Sequence, residues 1–158
     1  MPAVTATLYS RDILRLAASI PHLGRLPGAQ ASVERNSVVC GSRVAVDLSL
    51  DDAGRVAAVG LEVKACALGQ ASAALLGAHV IGSDAAALAA ARDALGAYLA
   101  GEQDEPGAWP GFAVFADARG FTARHPSIRL AFEAAAAAAA LAAGEGADRS
   151  SPRPRLPD

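Results

Sequence analysis

The chain has 158 residues, a formal net charge of −2, 53% hydrophobic but only 4% aromatic residues, and two cysteines. That length suits one domain, with a core of alanine, leucine and valine that lets helices approach closely. Scattered lysines and arginines form no basic stripe, which argues against nucleic acid as a partner, and two cysteines make no disulfide framework, so reduced thiols and a cytoplasmic protein are expected.

Residues 7–19 place Leu8, Ile13, Leu14, Leu16 and Ala17 among Arg11, Asp12 and Arg15. This is an amphipathic helix that Pro21 ends, and its charges give no reason to expect a secretory leader. "PHLGRLPGAQASVERNS" reads as an extended arm with a short edge strand around Ala31–Arg35. Arg43–Leu50 alternates, with Val44, Val46, Leu48 and Leu50 against Arg43, Ala45, Asp47 and Ser49, as a half-buried strand does. "DDAG" supplies a turn, and Arg55–Lys64 alternates again, which predicts a hairpin. In an antiparallel hairpin the start of the first strand lies beside the end of the second, so Cys40 and Cys66 are expected at one end of the sheet.

A helix is expected from near Ala67 to near Gly82. Cys66 then sits at its N-terminus, where exposed amides and the dipole favour a thiolate. Ser83 suits the N-cap of a helix over residues 84–100. "GEQDEPGAWPG" is a loop in which Trp109 serves as a packing anchor, and "FAVFADARG" fits a short helix or an extended piece. Pro126 can open a final helix over "HPSIRLAFEAAAAAAALAA". The alanine-rich runs are too short or too interrupted by charge for the roughly 20 apolar residues of a membrane span, so no membrane partner is expected. Residues 144–158 read as a disordered tail, leaving residues 1–143 as the domain. The elements together predict an α+β fold, a small antiparallel sheet of about three strands packed against several helices.

No phosphate-binding loop and no Ser/His/Asp arrangement has local support. Cys66 at a helix start could accept persulfide sulfur, with Arg43 assisting by charge.

In this order of elements the chain resembles the NifU/IscU family of iron–sulfur cluster assembly scaffolds, and within it the SufU-like branch. The resemblance spans about residues 8–143. It begins at "LYSRDIL", continues through the glycine-bearing arm, and reaches "VVCGSRV", where Cys40 and Gly41 match and Ser42 replaces the family's aspartate. "KACALGQASAALL" matches the family's second cysteine segment, with Cys66 at the ligand position. The family's third cysteine lies on the last helix. Aligning "SIRLA" with that segment puts Leu130 at the cysteine, with Arg129 where some relatives carry histidine.

The resemblance implies a SufE/NifU-like fold. It also implies a scaffold or carrier in place of a turnover enzyme, with Cys40 and Cys66 as metal ligands for iron, a labile [2Fe–2S] cluster or zinc. The implied partners are a cysteine desulfurase and apo iron–sulfur proteins. Two of the family's ligand roles are absent, because neither Leu130 nor Ser42 replaces a thiolate or carboxylate under ordinary conditions. Glu133 and His125 are candidate substitutes, whereas His22 and His79 read as structural or surface residues. A homodimer sharing two cysteines per chain would restore four thiolates. The alternative is a degenerate scaffold, acting as a non-catalytic interaction or regulatory module for a desulfurase, or as a persulfide carrier.

Overall fold

The computed structural model describes residues 8–38 and 41–148, with the side chains of residues 145–148 left aside. In chain order the elements are α1 (Arg11–Ala17), β1 (Ala31–Asn36), β2 (Arg43–Leu50), β3 (Val56–Lys64), α2 (Ala67–His79) and α3 (Ala85–Leu99). Two 3₁₀ segments follow, Phe112–Ala118 and Thr122–Arg124, and then α4 (His125–Asp148). The strands form one antiparallel sheet in the order β1-β2-β3. The architecture is therefore the expected α+β fold with a three-stranded sheet.

The hairpin pairs Arg43 with Lys64 at one end and Leu50 with Val56 at the other, with an irregularity at Ser49 and Leu50. One face of the sheet is covered by α4, which also packs against α2 and α3, while α1 packs against α2. The core joins Val44, Val46 and Leu48 to Leu68, Leu76, Ile128 and Phe132. Phe132 takes edge-on contacts from Trp109 at 5.3 Å and Phe112 at 4.9 Å between ring centroids, the favoured geometry for aromatic pairs. Trp109 also donates its indole N–H to the Leu75 carbonyl at 3.0 Å, so it does anchor its loop.

β2 is not half-buried as its alternation predicts: Val44 through Leu48 are all buried. The cause is the arm before β1, which covers the second face. Gly24 N donates to Leu61 O at 2.8 Å and Leu61 N to His22 O at 2.9 Å. Arg25 donates to both carboxylate oxygens of Asp47 at 2.7 and 2.9 Å, and Leu26 N adds a third bond at 3.0 Å. The Asp47 side chain is consequently 3% exposed. The Arg25 guanidinium, aided by the Leu26 amide, holds its carboxyl well down, to about 2, against the opposing effect of burial.

Other expectations shift by small amounts. The N-cap of α3 is Asp84, whose carboxylate accepts from Ala87 N at 2.8 Å, while Ser83 Oγ donates back to the His79 carbonyl. "FAVFADA" is 3₁₀-helical. Pro126 is indeed in the first turn of α4, but α4 runs on to Asp148 and so takes in Gly144–Asp148 from the expected tail; residues 149–158 lie outside the described residues. Among the described residues Thr122–Gly144 is long and apolar enough to cross a membrane, unlike the sequence expectation, yet 61% of its 18-residue apolar window is buried inside the fold. That burial is what a central core helix shows.

Candidate functional site

Cys66 is the N-cap of α2, with extended backbone (φ −67°, ψ 173°), and its carbonyl accepts the first helical bond from Gln70 N at 2.9 Å. Its side chain makes no capping bond. The thiol is half-buried and opens into a pocket of about 490 Å³, whose polar lining includes Ser42, Lys64, Cys66, Gln70, Arg124 and Ser127. The hairpin delivers Gly41 and Ser42 to this pocket from the start of β2, and Lys64 and Ala65 from the end of β3. The expected meeting of the two strand ends is thus present at Gly41 and Cys66. Cys40 itself lies outside the described residues.

The residue of α4 that meets the thiol is Ser127, with Oγ 3.4 Å from Cys66 Sγ and 3.1 Å from Ser42 Oγ. Leu130, placed at the third ligand position by the resemblance, is 3% exposed and packed in the hydrophobic core. The helix register explains the difference. α4 begins at His125, so Ser127 is in its first turn beside the head of α2, whereas Leu130 lies deeper in the packed region. The proposed substitutes are elsewhere. His125 is buried and donates from Nε2 to the Ala118 carbonyl at 2.9 Å, and Glu133 exerts its charge on Arg92 of α3. Arg43 does not line this pocket and lies 3.7 Å from Glu34 across the sheet.

Ser127, Lys64, Gln70 and Arg124 are site residues that the sequence reading passed over. Ser127 carries a detectable signal, since it is the only hydroxyl residue in α4. Among the described residues no carboxylate or imidazole lines the Cys66 pocket, and no group of three or more His, Cys, Asp or Glu side chains could hold a metal ion. A [2Fe–2S] cluster or a tetrahedral zinc ion takes four ligands. The described site supplies one thiol and two hydroxyls, with Lys64 and Arg124 making its rim attractive to anionic groups.

The chain matches the NifU-like N terminal domain family over residues 8–105. A crystal structure of a nitrogen-fixing NifU-like protein (N-terminal) from Brucella abortus is 35% identical, with a TM-score of 0.81, covering 90% of this chain and 99% of its own. A putative iron-sulfur cluster assembly scaffold protein for the SUF system from thermophilic Fervidobacterium islandicum AW-1 shares the fold at 18% identity. Its TM-score is 0.78, and the match covers 85% of this chain and 98% of that one. No curated protein matches the sequence. The α+β fold and the matched segment define a protein of NifU-like architecture. The chain belongs to the NifU-like N-terminal domain family.

Proposed function

We propose that this protein works in iron–sulfur cluster assembly as a scaffold or carrier without turnover chemistry. It holds iron, a labile [2Fe–2S] cluster or zinc through Cys66 together with Cys40, within the cytoplasm. A cysteine desulfurase supplies sulfur and apo iron–sulfur proteins receive the product. The observation that carries this reading is the Cys66 thiol at the head of α2, unspent on capping and open to a pocket that the start of β2 also lines. Family membership supports it. With few strong donors in the described pocket, the remaining ligands come from a partner: a second copy of the chain, or the protein that delivers or receives the cargo.

Anaerobic reconstitution with iron and sulfide tests this, read by visible absorbance and metal analysis. The parent is expected to take up metal, and Cys66→Ala and Cys40→Ala each to lose it. A parent that takes up no metal rejects the metal-holding mechanism and leaves the fold assignment intact.

The short donor set favours a second reading, in which the protein docks on a desulfurase as a regulatory module or carries persulfide on Cys66. Lys64 and Arg124 at the rim suit an anionic sulfur species. Mass spectrometry after incubation with a desulfurase and cysteine separates the two: a persulfide on Cys66 without metal uptake marks the carrier.

A further inference from the structure

The pocket at Cys66 runs from an exposed cationic rim to a buried polar floor. Lys64, at the end of β3, and Arg124, the residue before α4, are exposed, Cys66 is half-buried, and Ser42 and Ser127 are buried. Ser127 Oγ lies 3.4 Å from Cys66 Sγ and 3.1 Å from Ser42 Oγ. The two rim cations come from separate elements, and neither forms an ion pair among the described residues, whereas Arg25, Arg43, Arg92 and Arg119 each meet a carboxylate at 2.7–3.7 Å. Among the described residues no carboxylate lines the pocket, so nothing there competes with the anionic group of a ligand. Its volume of about 490 Å³ exceeds what one inorganic ion needs and falls within the usual range of small-molecule sites, about 300–1,000 Å³.

We propose that this pocket takes a low-molecular-weight thiol bearing carboxylates, held on Cys66 as a mixed disulfide with its carboxylates at Lys64 and Arg124. The cavity joins the two features such a ligand needs. A sulfur nucleophile stands inside it, and ammonium and guanidinium groups at its mouth attract carboxylates and give them charge-assisted hydrogen bonds. The step is an exchange. The Cys66 thiol gives its proton to solvent, and its sulfur attacks one sulfur of the small disulfide. The new S–S bond forms as the old one breaks, and the departing thiolate leaves with the electron pair and takes a proton from solvent. Cys66 is thereby oxidised and one half of the small disulfide reduced; excess free thiol runs the exchange backward. A capped Cys66 neither ligates metal nor carries persulfide, so the exchange switches the site off whichever cargo it holds. The proposal therefore rests on neither reading of the cargo.

The test is the charge selectivity of that exchange. Cys40→Ala makes Cys66 the single thiol of the full chain, and this protein is compared with one that also carries Lys64→Gln and Arg124→Gln, both matched to the parent by circular dichroism. Initial rates of adduct formation are read by whole-protein mass spectrometry with glutathione disulfide, which is anionic, bis(2-hydroxyethyl) disulfide, which is neutral, and cystamine, which is cationic. The ratio of the glutathione disulfide rate to the neutral rate is expected to be about threefold to tenfold higher with the two cations than without them, the reach of two exposed charge contacts. It is expected to fall by a similar factor in about 1 M potassium chloride, which screens such contacts and needs no rim variant. Cystamine is expected to respond in the opposite sense. The neutral disulfide reports the reactivity of the thiol itself, so only a change in the ratio measures recognition. The inference is overturned if the ratio is the same with and without the cations, all three rates moving together included, if salt leaves it unchanged, or if glutathione disulfide forms no adduct on Cys66. None of these results involves metal uptake or a desulfurase, so each leaves the proposed function standing.

Discussion

The Cys66 site depends on one missing methyl group. Gly69 lies where α2 packs against α4, and a Cβ there would fall 2.6 Å from Ser127 Oγ, 2.7 Å from the Ala65 Cβ and 3.1 Å from the Ser127 carbonyl oxygen. These distances are shorter than side chains tolerate, and two of the neighbours belong to a buried serine and to backbone that cannot swing aside. Gly69→Ala is therefore expected to destabilise the fold by about 1–3 kcal/mol, the usual cost of forcing an extra carbon into a packed interior. The gain in helix propensity from alanine, roughly 1 kcal/mol, offsets only part of it. Thermal unfolding of Gly69→Ala beside Gly96→Ala checks this, because the space at Gly96 holds only the Arg129 Cδ at 3.9 Å. The steric account requires the first variant to melt lower and the second to melt no lower than the parent; equal shifts would remove it.

At the scale of elements, end chemistry decides where helices begin. Asp84 caps α3 through its bond to Ala87 N, and Asp84→Ala is expected to cost about 1 kcal/mol by leaving that amide without a partner. Ser83→Ala, whose hydroxyl only bonds back to His79, should cost a few tenths at most, and chemical denaturation of the pair compares them directly. The sequence could show that a cap stood here but not which neighbour held it, since both residue types are good caps. The strands were more legible. Arg43–Leu50 and the hairpin with β3 follow from period-two alternation and a turn, and Cys66 as the head of α2 follows from the change to helical periodicity. What alternation could not reveal was the covering of β2 on both faces. Asp47 sits at a position that pattern assigns to solvent, and the arm's Arg25 and Leu26 amide make its burial tolerable. The α4 site residue was missed for a similar reason: matching a motif by neighbouring letters selected Leu130, whereas the close helix approach at Gly69 selects Ser127.

Across the whole molecule the arm is what joins α1 to the sheet without a strand of its own. Beyond the two backbone bonds to Leu61, it lies so close that a Cβ at Gly60 would come 2.5 Å from the Gly24 carbonyl oxygen and 2.9 Å from Leu26 N. Asp47 pairs with Gly60 across β2 and β3, so the carboxylate and the close approach act on the same few residues of the arm. The Asp47 carboxyl is held at about 2, below its ordinary 3.8, chiefly by hydrogen bonding to Arg25. A group whose folded value lies below its unfolded one stabilises the fold above the unfolded value, and that contribution is lost as pH falls toward the folded value. Asp47→Asn keeps the shape and removes the charge, so it is expected to be less stable at neutral pH by about 1–2 kcal/mol, given that the guanidinium side of the pair is half exposed to water. The gap between parent and variant should stay constant from neutral pH to about pH 5 and then narrow toward pH 2. Denaturant unfolding of both proteins across that range measures it directly. A gap that stays constant down to pH 2 would mean that the carboxylate charge does not fasten the arm, and that the backbone bonds to Leu61 hold it alone.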